Sequence, residues 1–467
     1  MPAYRATALP ADATFPLALI DEAVATAGAR EQRRRLLPSV AVVVFVLGCA
    51  LFFGEGYGEV ARKLAGWLGP AAGPGGWHLP GTGALARARR RLGPGPLRAL
   101  FGLLAGPLAE PDTPGAWAFG RLLAALDGTL LDVPASAANT AAFGAAPSGG
   151  GGKAGGFPQV RVVTLTACGT HGLLDAAFRG RRAARSSEQD LARKVAARGA
   201  CRAGMLVLAD RNFGGYPAAA ALAATGADLL IRVKSSQWLP VLEVLPDGSY
   251  RSVLPAPAAG RRHAVARHRG RPLPGPPAGL PVRVITADLT ITPAGGKPRT
   301  ERCRLITTLA DWRAAPAAGL AACYAQRWEI ENGYREIKVF TRGPGQVLRS
   351  QTPAGITQEI WALLCACQLS CAARARAAAT GGHDPDRISY TVTLRAIRRA
   401  IITPAPPGSI TAEALHALLP PRRRRSYPRL TLAGTARRRT ARAGLTGTTT
   451  YKITIVPPAQ ATDLPGP

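Results

Sequence analysis

Tyr324, Arg327, Glu331 and Lys338 lie in a run without proline, and a helix through them would turn about 100° per residue. The four then sit at roughly 0°, −60°, −20° and −40°, one narrow face carrying one carboxylate between two cations. Such a stripe suits phosphoryl transfer, where the acid holds a metal ion and the cations hold a phosphate backbone. An ordinary intrahelical charge cluster would produce the same pattern. Glu329 and Glu336 fall near 140° and 120°, on the opposite side, where they are expected to face solvent. Two more carboxylates stand next to apolar runs. Asp127 follows Leu126 and precedes Gly128, which puts it at a strand end, although Asp-Gly is also a common hairpin turn. Asp210 ends the run Met205–Ala209 and would emerge at the rim of a sheet, or cap the helix that follows.

The elements expected to position these groups form an α/β fold. Short β-like runs at 122–126, 129–133 and 160–167, with another at 172–178, predict early strands able to pair as a meander. A helix is expected from Ser186 or Ser187, with Ser186 and Gln189 in capping-box spacing, then a strand at 205–209, a helix at 217–224 and a strand at 229–233. That order is a ribonuclease H-like mixed sheet flanked by helices. Residues 1–112 read as an all-α, Arg-rich N-terminal unit that binds DNA, and 113–234 as the first part of the catalytic core. Residues 235–316 read as a β-rich insertion, 317–400 as the second part of the core, and 401–467 as a basic tail with local disorder. Within the first unit, residues 84–92 carry Arg89, Arg90 and Arg91, which could face DNA or simply be a solvated basic face. The glycine-rich stretch 148–156 lacks a G-K-[ST] ending and is a flexible loop rather than a phosphate loop.

Composition narrows the partner. The 467 residues include 59 Lys and Arg against 28 Asp and Glu, a formal charge of +31, and such a surface seeks a polyanion. Nucleic acid fits best, because neutralised phosphates release counterions. An arginine-rich, GC-biased genome would skew composition in the same direction. The eight cysteines show no paired zinc-type spacing and point to a reducing, cytoplasmic setting. Acidic residues at 12, 21 and 22 precede any long apolar run, so no signal peptide is expected. Residues 36–53 are almost wholly apolar and are expected as a buried core helix, with a membrane anchor as the competing reading.

The spacing Y-x2-R-x3-E-x6-K, filled by Tyr324, Arg327, Glu331 and Lys338, resembles the signature of the insertion sequence four family of DDE transposases. Leu126-Asp127-Gly128-Thr129, Ala209-Asp210-Arg211-Asn212-Phe213 and Leu348-Arg349-Ser350 resemble the family in the expected order. Residues 33–38 and 88–93 look like its N-terminal helical domain. The resemblance covers most of the chain. It implies a catalytic triad of Asp127, Asp210 and Glu331 that binds two Mg²⁺ ions, with Mn²⁺ as a substitute. It also implies Tyr324, Arg327 and Lys338 as contacts to transposon-end DNA, and an aromatic in the insertion that holds a flipped base. Trp238 is the candidate there, or else a core residue. The implied activity is cleavage at transposon ends and strand transfer into target DNA, carried out by a homodimer on DNA in the nucleoid. Three rivals remain at this point: a domesticated descendant that binds without cutting, a recombinase that uses Tyr324 as a covalent nucleophile, and a membrane-anchored basic protein.

Overall fold

The computed structural model describes residues 15–32, 37–71, 78–144, 156–271, 275–292, 297–324, 336, 341, 343, 345–403, 405–420 and 450–458. The chain divides into two compact units, residues 1–116, 127–191 and 329–421 in the first, and 117–126, 192–328 and 422–467 in the second.

The first unit opens with helices α1 (Leu17–Thr26), α2 (Ser39–Leu51), α3 (Tyr57–Lys63), α4 (Ala65–Ala71), α5 (Thr82–Leu92) and α6 (Gly95–Leu104). Valine is a poor helix former, yet α2 holds five of them, because burial overrides propensity. Every residue from Ala41 to Leu51 is buried. Thirteen helical residues rise about 20 Å, short of the ~30 Å apolar layer of a bilayer. The apolar run is therefore a core helix, and it packs against the long helix Pro353–Thr380. At Gly48 the approach is so close that a Cβ would overlap the Leu64 side chain.

Strand β1 (Trp117–Ala118) belongs to the second unit, and strand β2 (Arg121–Asp132) begins there and ends in the first, where α7 (Ala137–Phe143) follows. An antiparallel hairpin follows, β3 (Gln159–Ala167) with β4 (Leu173–Gly180). Asp127-Gly128 is not a turn, as one reading of the sequence allowed: β2 runs straight through it, joining two expected strands into one. A Cβ at Gly128 would stand 2.6 Å from the Glu188 carboxylate, which would have to swing aside. Helix α8 (Glu188–Ala197) is capped by Ser187, one of the two starts expected, whose hydroxyl accepts from Asp190 N at 3.1 Å, so the capping pair is Ser187 with Asp190 rather than Ser186 with Gln189.

In the second unit β2, β5 (Met205–Ala209) and β6 (Asp228–Val233) run parallel, with α9 (Tyr216–Ala223) as the crossover between the last two. The sheet continues antiparallel through β10 (Arg299–Thr307), β9 (Gly279–Thr292), β8 (Tyr250–Pro255) and β7 (Glu243–Val244). Helices α10 (Pro257–His268) and α11 (Ala317–Tyr324) belong here too, and α10 was not legible in its Pro-rich, basic sequence. The strand and helix order from β2 to β6 is that of a mixed ribonuclease H-like α/β core. The first unit then closes with α12 (Pro353–Thr380), α13 (Tyr390–Ile402) and α14 (Ser409–Leu415). Helix α12 is long and apolar enough to cross a membrane, but 89% of its most apolar window is buried within the protein. Within the tail from 401, α14 is helical and β11 (Thr450–Ile455) pairs antiparallel with β9. Its Arg422–Arg425 and Arg437–Arg439 runs lie outside the described residues.

Candidate active site

Parallel strands in register carry matched residues side by side; β5 ends at Ala209, whereas β2 runs on to Asp132. On the β2–β5 ladder Leu126 is the register partner of Ala209, and the residue after each is an aspartate, Asp127 and Asp210. Both are half-buried. The Asp127 Oδ1 accepts from Gly128 N at 2.7 Å. The Asp210 Oδ1 accepts from Asn212 N at 2.8 Å, a local turn that fixes the carboxylate at the strand end. Asp210 is not a helix cap, because α9 starts only at Tyr216 with Gly215 at its N-cap.

The first residue of the spaced motif reaches the same strand end. The Tyr324 hydroxyl, on the last residue of α11, donates to the Ala209 carbonyl at 3.2 Å, one residue from Asp210. Arg327, Glu331 and Lys338 lie outside the described residues, as does Glu329, so the shared helical face is not among the structural findings.

Two family models match the chain, one described as the insertion element 4 transposase N-terminal region over residues 10–102, the other as the transposase DDE domain over residues 118–369. The chain belongs to the insertion element 4 family of DDE transposases. It is 28% identical over 425 residues to the transposase InsG for insertion sequence element IS4 of Escherichia coli (strain K12), covering 88% of this chain and 89% of that protein. It is also similar to a piggyBac transposase synaptic complex with hairpin DNA, at TM-score 0.41 and 11% identity, over 90% of this chain and 84% of that one. The protein is thus a DNA transposase, an enzyme acting on DNA, and DDE domains of this kind use divalent metal ions.

Among the transposase's described residues, no three His, Cys, Asp or Glu side chains come together to hold a metal. Asp127 and Asp210 each carry hard oxygen donors of the kind Mg²⁺ and Mn²⁺ prefer. Glu336 contradicts its expected exposure. It is 5% exposed, its Oε1 accepting from the Arg374 guanidinium at 2.7 Å and its Oε2 lying 3.0 Å from His171 Nδ1. Burial raises the carboxyl pKa, but the Arg374 charge, His171 and the hydrogen bonds from both outweigh it and hold it down at about 2.

Of the arginines expected to face DNA, Arg89 does not: it is 5% exposed, donating to Gln358 Oε1 at 2.6 Å, to Glu359 Oε1 at 2.9 Å, to the Gly355 carbonyl and to the Tyr57 hydroxyl. A guanidinium so engaged joins α5 to α12. Arg91 donates to the Leu37 carbonyl, and Arg90 is exposed. Trp238 is half-buried, its ring tilted against His263 with centroids 5.3 Å apart. Arg349, in the family-like Leu-Arg-Ser triplet, serves the fold. Its guanidinium donates to the carbonyls of Cys49, Phe52, Phe53 and Glu55, where a cation complements the negative end of α2. We expect Arg349→Ala to strand several part-buried carbonyls and cost about 3 kcal/mol. Chemical denaturation should register that loss, and a variant as stable as the parent would refute the role. Sequence reasoning missed these tethers, although Gln358 and Gln368, polar residues inside an apolar run, were a usable signal. Gln368 accepts from Leu173 N at 2.6 Å and donates to the Leu104 carbonyl at 3.0 Å.

Proposed function

We propose that the transposase cuts the ends of its element and joins the freed 3′-hydroxyl to target DNA, using Asp127, Asp210 and Glu331 as the carboxylates that hold two Mg²⁺ ions. The observation that carries this is the β2–β5 register, which sets Asp127 and Asp210 after the paired residues Leu126 and Ala209. When bound, the ions lower the pKa of a nucleophilic water or hydroxyl and stabilise the leaving oxygen. The protein's part is to hold three acids in register and to orient the phosphodiester. Tyr324 keeps the end of β5 in place through the Ala209 carbonyl, and Arg327 and Lys338 are proposed to grip the backbone of the end DNA near the cut. Water first attacks phosphorus and a 3′-oxygen leaves; that 3′-OH then attacks a target phosphodiester, so one bond breaks for each formed.

In this reading residues 1–112 form the helical DNA-binding domain, with exposed Arg90 as a phosphate contact, and residues 235–316 interrupt the core as an insertion. The tail from 401 adds positive charge. Trp238 is the insertion's aromatic contact to a displaced base. A homodimer on paired ends, associated with the cytoplasmic nucleoid, is the expected working form.

Metal dependence is the first test. EDTA should abolish cleavage of an end duplex, and Mg²⁺ or Mn²⁺ should restore it. A denaturation-resistant protein–DNA adduct that disappears in Tyr324→Phe would instead establish tyrosine as the nucleophile.

A further inference from the structure

Helix α10 concentrates charge in a way the proposed site does not use. Residues 257–271 contain Arg261, Arg262, Arg267, Arg269 and Arg271 and no acid. Arg269 N donates to the Val265 carbonyl at 3.1 Å, so the helical turn extends past His268. Taking Arg261 as 0° and about 100° per residue, Val265 falls near 40°, Arg269 near 80°, Arg262 near 100° and His268 near −20°. All five are exposed. The other side of the helix is pinned down. Ala259 and His263 are buried there, and His263 places Nδ1 at 2.9 Å from the Ala259 carbonyl and Nε2 at 3.1 Å from the Gly275 carbonyl. Among the described residues, Arg261, Arg262 and Arg269 make no ion pair.

We propose that this face of α10 is a contact surface for the sugar-phosphate backbone of duplex DNA, distinct from the residues that carry cleavage. The inference rests on the transposase reading and extends it to a surface that reading leaves idle. From Arg261 to Arg269 the helix rises about 12 Å, the reach of three to four nucleotide steps along one strand. Guanidinium groups pair well with phosphate oxygens, and each phosphate neutralised releases counterions. Backbone phosphates are the commonest partners of such guanidinium groups and fix a protein on the duplex whatever its base sequence. An anionic lipid surface would call for bulky apolar anchors beside the cations, and Val265 alone stands among them.

The test compares the full-length protein with an Arg261→Ala/Arg262→Ala/Arg269→Ala variant on a random-sequence duplex of about 30 base pairs. Kd is measured between roughly 50 and 200 mM salt. The slope of log K against log salt should shrink by about 0.9 per lost contact, or about 2 to 3 in all. Arg251→Ala, on β8 and already 3.3 Å from Glu243, should leave the slope as it was. Thermal melting follows folding, and if the triple variant melts early, Arg261→Gln/Arg269→Gln keeps part of each stem and should still remove about 2 from the slope. An unchanged slope in a folded variant overturns the proposal. So does a result in which binding to phosphatidylglycerol vesicles falls while the duplex slope holds. Metal-dependent cleavage of an end duplex is assayed beside it. Absence of cleavage with a reduced slope would sink the transposition reading and leave the DNA surface standing.

Discussion

Glu331→Gln is expected to lower end-duplex cleavage by on the order of 10³-fold or more, equivalent to about 4 kcal/mol of transition-state stabilisation. Glutamine keeps the size and hydrogen bonding of glutamate but removes the charge that would hold a metal ion. Duplex binding without metal should be largely retained. Glu329→Gln, two residues away on the opposite helical face predicted for this run, should cost little. The comparison is made on one end duplex at fixed salt and Mg²⁺. Near-parental cleavage by Glu331→Gln, or equal losses at Glu329 and Glu331, would remove Glu331 from the triad.

Glu336→Gln should act on folding. Removing one partner of a buried ion pair costs about 3–5 kcal/mol, because the other charge is left uncompensated. Arg374, 2% exposed, is that other charge here, and it also donates to the Thr170 carbonyl at 2.7 Å. For a unit of this size the loss corresponds to roughly 10 °C in Tm. The pH dependence has a definite sign. Glu336 is held at about 2 in the folded chain against 4.5 as its ordinary value. Its contribution, on the order of 3 kcal/mol, is fully present above pH 4.5 and disappears as pH falls toward 2. Acid denaturation of the parent should steepen in that window, and Glu336→Gln should flatten it. Replacing both partners, Glu336→Leu with Arg374→Met, should recover much of the stability. If Glu336→Gln melts like the parent, the buried pair is not a structural tie.

The two glutamates show where sequence reading succeeds and where it stops. Strands β5 and β6 and helix α9 were legible to within a residue, because short apolar runs bounded by Gly and Asp are local signals. Asp210 follows the end of β5 as its apolar run implied, whereas Asp127, expected at a strand end, lies inside β2 because that strand runs on to Asp132. The fate of Glu336 was not legible, since a helical wheel orders directions around an axis and says nothing about what packs on each side. Its partners His171 and Arg374 are 165 and 38 residues away in sequence. Arg89 misled in the same manner: a basic stretch reads as solvated until Gln358 and Glu359 arrive from α12. Helix α10 was hidden because its inner face is Ala259 and His263 rather than a run of large apolar residues. Strand β11 was hidden because its partner β9 is distant in the chain.

That last pairing orders events in time. During synthesis β9 emerges long before β11, and until residues 450–455 leave the ribosome the backbone of residues 287–292 has one side without its final neighbour. An open strand edge is a template for other chains. Ribosomes that stall or terminate within the basic stretch before β11 would release products with this edge uncovered, prone to clump rather than compete for DNA. Chains that extend through residue 455 cover that edge themselves, so finishing the chain would also protect it from self-association.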